Sequence, residues 1–186
     1  MAEKTIKVAG FGGQGVMMFG KLLAYAATKE GKYSLWFPSY GPETRGGTAN
    51  CAVIVSEEVI NSPVFRDASH TVVFNLPSLE KFNDRVEDDS LLLYNASLIE
   101  KEVKNDKALV VGVPCNKIAN DLGNPKVLNM VMLGAYLALT KLFTAEVIET
   151  VLKEYLGDSK AAMLDVNKQA IKAGMDFIEE AGISYA

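Results

Sequence analysis

Two glycine-rich stretches present the groups that could do chemistry. The first, Gly10-Phe11-Gly12-Gly13-Gln14-Gly15, fits G-x-G-x-x-G at Gly10, Gly12 and Gly15. Glycine lets the backbone take positive φ and approach whatever lies above it. The N–H groups that open the following helix then favour an anion by about 0.3–1 kcal/mol. A nucleotide or phosphate site and a turn kept for close helix–strand packing both fit this pattern. The second stretch, Pro38-Ser39-Tyr40-Gly41-Pro42-Glu43-Thr44-Arg45-Gly46-Gly47, holds two prolines and three glycines. That composition excludes regular structure and sets a loop of defined shape. It presents Ser39, Tyr40, Glu43 and Arg45, and Arg45 can offer a planar fork to a carboxylate or phosphate. A Glu43–Arg45 pair that only pins the loop is the alternative. Because rigid loops lower the entropy cost of binding, a functional or interface role takes precedence.

The remaining reactive side chains supply less. The one histidine, His70, begins a strand, no G-x-S-x-G accompanies it, and a structural role is expected. Cys51 and Cys115 lie far apart and form no C-x-x-C pair, so no iron–sulfur cluster or structural zinc belongs to this chain alone. Both read as small buried apolar residues in a reducing cytosol. No catalytic residue and no metal ligand is assigned. A dinucleotide site of the Rossmann type would need an acid at the end of the second strand to hold the ribose hydroxyls. Here that end is Phe37-Pro38-Ser39; Glu30 precedes the strand and Glu43 lies beyond it.

The elements that must position these stretches follow from periodicity. Residues 5–9 read as a first strand, and residues 16–29 as a helix, with Val16, Phe19, Leu22, Leu23 and Ala26 at helical spacing. Further strands are expected at 33–37, 48–56, 71–75, 91–95 and 108–113, with a short edge piece at 59–63. A short helix at 77–82 is capped by Ser78 or the turn before it, and residues 115–121 form a short turn. Helices are expected at 127–142, 145–155 and 160–180. Strands alternating with helices give one α/β domain over residues 1–186. Its sheet is mostly parallel and flanked by helices, with a Rossmann-like start and a helical C-terminal third. A net charge of −4 argues against nucleic acid as the main partner. The first strand begins with no signal peptide before it, and no apolar run reaches a membrane span, so a cytoplasmic protein is expected.

Four motifs together carry a resemblance. They are Gly10-Phe11-Gly12-Gly13-Gln14-Gly15, the 38–47 loop, Thr48-Ala49-Asn50-Cys51, and Asn129-Met130-Val131-Met132-Leu133-Gly134-Ala135. In order and spacing the chain resembles the gamma subunit of 2-oxoacid:ferredoxin oxidoreductases, the domain III family of pyruvate-ferredoxin oxidoreductase. The loop, with Ser-Tyr-Gly-Pro-Glu and Gly-Gly, is closer to the 2-oxoglutarate and branched-chain enzymes than to the pyruvate enzymes. The resemblance implies a complex that decarboxylates a 2-oxoacid, here 2-oxoglutarate, on thiamine diphosphate. Such a complex passes electrons through iron–sulfur clusters to ferredoxin and transfers the acyl group to coenzyme A (CoA). Thiamine diphosphate and Mg²⁺ would belong to alpha and beta subunits, and the accessory clusters to a ferredoxin-like delta subunit. This chain would hold no cofactor, would be inactive alone, and could self-associate when isolated. Ser39, Tyr40, Gly41, Pro42, Glu43, Arg45, Gly46 and Gly47 would shape the interface next to the active centre, on the side that CoA approaches. Gly10, Gly12, Gly13, Gln14 and Gly15 would form a packing turn or hold a phosphate. A free-standing dinucleotide-binding oxidoreductase and a ligand-free scaffold are the other readings.

Overall fold

The computed structural model describes residues 3–39 and 48–185. Strand β1 (Lys4–Gly10) runs through the glycine turn into α1 (Val16–Lys29), followed by β2 (Tyr33–Ser39) and β3 (Ala49–Ser56). Then come β4 (Ala68–Val73), α2 (Leu76–Phe82), β5 (Val86–Asn95), β6 (Ala108–Val113) and α3 (Cys115–Asp121). Three further helices, α4 (Leu128–Thr140), α5 (Ala145–Leu156) and α6 (Leu164–Glu180), end the described fold.

The strands form one sheet in the order β2-β3-β1-β4-β5-β6. β1, β4, β5 and β6 pair in parallel, and β3 runs antiparallel to both β1 and β2. β2 therefore points the same way as β1, so the sheet is mostly parallel with one reversed strand. Strand–turn–helix opens the chain as expected, but β3 is inserted between β1 and β2.

Several boundaries differ from the sequence-based expectation. Pro38 lies inside β2, opposite Cys51, which its lack of an N–H permits because β2 is an edge strand. Residues 59–63 form no strand. β5 begins at Val86, and from Ala68 to His70 on β4 the pairing advances from Val86 to Leu91 on β5. The acidic run Glu87-Asp88-Asp89 is bulged out at that irregularity, with Asp89 at φ 58°. Residues 115–121 form a helix rather than a turn; of the two caps expected for α2, it is the turn before it, through Asn75, that caps by accepting from the Ser78 N–H.

The two faces of the sheet are clothed unequally. Ile6, Val8, Cys51, Val53, Val72, Phe74, Leu91 and Leu93 point into the main core beneath α1 and α4. α4 is buried from Asn129 to Leu139 around its whole circumference, as a central helix must be. The opposite face is covered by α2 and the 96–107 segment over a small cluster that includes Ala9, Val73, Leu79, Phe82 and Leu92.

Candidate functional site

Register brings the glycine turn, the end of β2 and the start of β3 to one edge of the molecule. Gly10, the last residue of β1, pairs with Ala49, the first of β3, and Ser39 at the end of β2 pairs with Asn50. The glycine turn, Ser39 and Ala49 therefore stand side by side at the carboxyl end of the parallel strands. Ser39 is exposed there. Tyr40, Gly41, Pro42, Glu43, Arg45, Gly46 and Gly47 lie outside the described residues. Lys81, from the last turn of α2, reaches the same edge and donates to the Thr48 hydroxyl at 3.2 Å.

The turn is closed by its own side chains. Gly13 and Gly15 take φ of 90° and 75°, and Gly12 lies between β1 and this left-handed pair. The Phe11 N–H donates to Gln14 Oε1 at 2.7 Å, and the Gln14 N–H returns to the Phe11 carbonyl at 3.2 Å. Gln14 Oε1 also accepts from Asn75 Nδ2 at 3.4 Å. One oxygen of the chain thus occupies the position in which an anion would take the Phe11 N–H. A Cβ on Gly10 would lie 2.7 Å from Gln14 Oε1 and 2.9 Å from the Phe74 Cβ, which explains the glycine there. At Gly15 a Cβ would run into the side chain of Asn129, whose amide donates to the Gly15 carbonyl at 3.4 Å. Gly15→Ala combines a left-handed non-glycine residue with that overlap. The expected loss is about 2–4 kcal/mol, read as a lowered urea midpoint.

β1 and β4 are adjacent and parallel, and the helices that follow them pack on opposite faces. This is a topological switch point, where open α/β sheets place their ligands. Here the Gln14–Asn75 hydrogen bond spans it, joining the turn before α1 to the cap of α2. Asn129 and Asn75 are the site residues to which sequence reasoning assigned no role. The signal for Asn75 was present in Asn75-Leu76-Pro77-Ser78, an N-cap with proline in the first turn. Asn129 acts through a contact 114 residues distant from Gly15, which no local pattern reveals.

A dinucleotide fits poorly. β2 carries no acid, and the strand beside β1 is the antiparallel β3, whose entering residues Thr48 to Asn50 occupy the ribose side. His70 lies in the core, 1% exposed, with Nδ1 2.7 Å from the Tyr136 hydroxyl. Burial and then the charge of Lys4 lower its pKa to about 3, so it stays neutral. Cys51 and Cys115 are buried free thiols, and burial pushes Cys51 up to about 12. Neither is a nucleophile at neutral pH. Among the described residues no group of three or more His, Cys, Asp or Glu side chains is placed to hold a metal, and no helix is long and apolar enough to cross a membrane.

Residues 5–177 match the family model of pyruvate ferredoxin/flavodoxin oxidoreductase. The chain belongs to that family. Within the pyruvate ferredoxin/flavodoxin oxidoreductase family, it is 37% identical over 177 residues to ketoisovalerate oxidoreductase subunit VorA of Methanothermobacter marburgensis. The match covers 94% of this chain and 36% of that relative, so the chain spans about a third of its length. It is 32% identical over 153 residues to 2-oxoglutarate synthase subunit KorC of Archaeoglobus fulgidus, covering 82% of this chain and 78% of that one. Among solved structures, the gamma subunit of a keto/oxoacid ferredoxin oxidoreductase from Geobacter sulfurreducens superposes with a TM-score of 0.85 at 25% identity. That alignment covers 97% of this chain and 99% of the gamma subunit, which bears out the single mostly parallel α/β layout with flanking helices.

Proposed function

We propose that this chain is the gamma subunit of a thiamine-diphosphate-dependent 2-oxoacid:ferredoxin oxidoreductase. Within the complex, a 2-oxoacid, CoA and oxidised ferredoxin become acyl-CoA, CO2 and reduced ferredoxin. The observation that carries this reading is the coincidence of the closed glycine turn with Ser39 and Thr48, the described residues on either side of 40–47, at one sheet edge. A turn whose N–H is held by Gln14 and whose exit is held by Asn129 is a rigid platform. It anchors Ser39 and Thr48, and with them the loop, without a ligand of its own. Family membership and the end-to-end match to a gamma subunit support the same role. Thiamine diphosphate and Mg²⁺ reside in alpha and beta partners and the clusters in a ferredoxin-like delta subunit. This chain's loop borders the active centre on the CoA side. The complex works in the cytoplasm.

2-Oxoglutarate is the proposed substrate. The loop, closer in form to the 2-oxoglutarate and branched-chain enzymes than to the pyruvate enzymes, and the 32% identity to KorC support it. The higher identity to VorA supports a branched-chain acid as the second reading.

Reconstitution tests both. The isolated chain should be colourless and should reduce no ferredoxin with any 2-oxoacid. Co-assembled with its partner subunits it should support CoA-dependent ferredoxin reduction, faster with 2-oxoglutarate than with ketoisovalerate. Arg45→Ala should leave thermal melting of the isolated chain within about 0.5 kcal/mol of wild type. It should weaken assembly or turnover by about 2–5 kcal/mol if the arginine meets a buried opposite charge. A cluster or flavin spectrum from the isolated chain would overturn the subunit reading. Unchanged assembly and CoA saturation in Arg45→Ala would remove the loop from it.

A further inference from the structure

A short arm after α6 covers the one histidine of the chain, away from the glycine turn and towards the amino end of the parallel strands. Helix α6 closes with Gly182 at φ 65°, its N–H donating to the Glu179 carbonyl and that of Ile183 to the Ile178 carbonyl. Ile183 packs against the main core, and beyond it Ser184 is exposed while Tyr185 is partly buried. The Tyr185 ring stands edge-on to the His70 ring, 5.6 Å between centroids. Its hydroxyl donates to the Asp89 carbonyl at 3.0 Å, the one hydrogen bond described for the arm. Asp89 itself sits at φ 58° in the irregularity of β5. One flank of the arm opens onto a groove of about 450 Å³, lined across from it by residues 106–109.

Closure has a cost at His70. With Tyr185 in place the imidazole is 1% exposed, and Nε2 is buried with no hydrogen-bond partner among the described residues. Such a nitrogen forgoes the hydrogen bonds that water would give it. Nδ1 meets the Tyr136 hydroxyl, and Ile6 and Leu91 flank the residue in the sheet. Lys4 of β1 opposes a positive charge on the ring, and burial keeps the Tyr136 hydroxyl of α4 protonated. On β5 stand Glu87 and Asp89. After burial, their charges raise Tyr185 above the usual phenol range, so it remains a donor.

Protonation would make both ring nitrogens donors, and the closed state offers Nε2 no acceptor. Moving the arm aside admits water to it. The two states therefore differ in proton affinity, and proton uptake shifts the balance to the lifted one. We propose that Ser184 and Tyr185 form a pH-sensitive arm, closed over neutral His70 and lifted from it when the imidazole is protonated. Held by one ring contact and one hydrogen bond, the arm lifts while the rest of the fold stays intact.

The full chain tests this in two ways. At about pH 7, diethyl pyrocarbonate, which modifies a neutral imidazole only where solvent reaches it, should label wild-type His70 slowly. Tyr185→Phe, which loses the bond to Asp89, should be labelled about three- to ten-fold faster. Tyr185→Ala, which loses the ring as well, should be labelled at least about thirty-fold faster. Gly20→Ala, destabilised away from the arm, should label as wild type. Fast labelling of wild type, no acceleration in Tyr185→Ala, or rates that follow the urea stability of the variants would each overturn the arm as the cover of His70. Relaxation dispersion on the Ser184 and Tyr185 amides then reads the lifted population from about pH 6.5 to about pH 4.5, where most carboxylates stay charged. In wild type it should rise about ten-fold per unit fall in pH, and in His70→Phe it should stay flat. An equal rise in His70→Phe, or no rise in wild type, would overturn the coupling between arm and imidazole.

Discussion

Gly174→Ala and Gly134→Ala should each destabilise the isolated chain by about 3 kcal/mol, at the upper end for overpacked sites. Helix propensity alone predicts the opposite sign, a gain of about 0.8–1 kcal/mol per substitution. The contact decides the outcome. A Cβ on Gly134 of α4 would overlap the Ile171 carbonyl oxygen of α6, and a Cβ on Gly174 of α6 would overlap the Val131 carbonyl oxygen of α4. The two glycines thus face each other's backbones across one crossing, where neither obstacle is a side chain that can turn away. Nor can α4 retreat, because it is buried around its circumference and seated on the sheet. Gly20 provides an internal scale. There a Cβ would meet the Cys51 Sγ at 2.5 Å and two Trp36 ring atoms at 3.0 Å, and these are side-chain atoms. Gly20→Ala should cost about 1 kcal/mol. Because one separation of α4 from α6 relieves both overlaps, the Gly134/Gly174 double variant should lose less than the sum of the single losses. Urea unfolding of the four variants measures all of this; stabilisation by either α4 or α6 alanine would show that the helices are not in backbone contact.

These positions also mark where the sequence stopped being informative. β6 and α5 were legible nearly to the residue, since each is a uniform apolar run or a strongly amphipathic repeat with turn residues at its ends. Gly134 and Gly174 were not, because helical periodicity places a face but does not say which backbone crosses it. The start of the fold was legible as strand, turn and helix. The neighbour of β1 was not, since insertion of β3 is fixed by pairing between distant strands rather than by any local pattern. The acidic run Glu87-Asp88-Asp89 is exposed. Its place within β5 comes from pairing at Val86 on one side and Leu91 on the other. At the candidate site the glycines were visible and their purpose was not. Gln14 was placed in the turn, but the sequence did not say that its Oε1 takes both the Phe11 N–H and the Asn75 amide.

Acid should destabilise this chain earlier than its carboxylates can account for, and His70 is the reason. In the folded state its imidazole is sealed between two rings, those of Tyr136 and Tyr185, at 5.5 and 5.6 Å between centroids. Nδ1 is bonded to the Tyr136 hydroxyl, while Nε2 is buried without a partner. Adding a proton would place a charge in the core next to Lys4, and the folded pKa falls from 6.5 to about 3. The unfolded chain takes up the proton near pH 6.5, so below that value it binds more protons than the native state. Stability is therefore full above about pH 6.5 and declines as pH falls, by about 1.4 kcal/mol per unit, levelling off near pH 3. Most carboxylates titrate below about pH 4.5, which leaves the interval above it to the one histidine of the chain. Roughly 2.7 kcal/mol should be gone by about pH 4.5. Urea unfolding from neutral pH down to that point gives the slope directly. His70→Phe, less stable at neutral pH because the Tyr136 hydroxyl loses its partner, should show almost no slope over the same interval. The single imidazole resonance of the native protein should not move as its solvent is acidified through pH 6. A native resonance that titrates near pH 6.5, or equal slopes in wild type and His70→Phe, would place the imidazole in contact with water and remove it from the core of this fold.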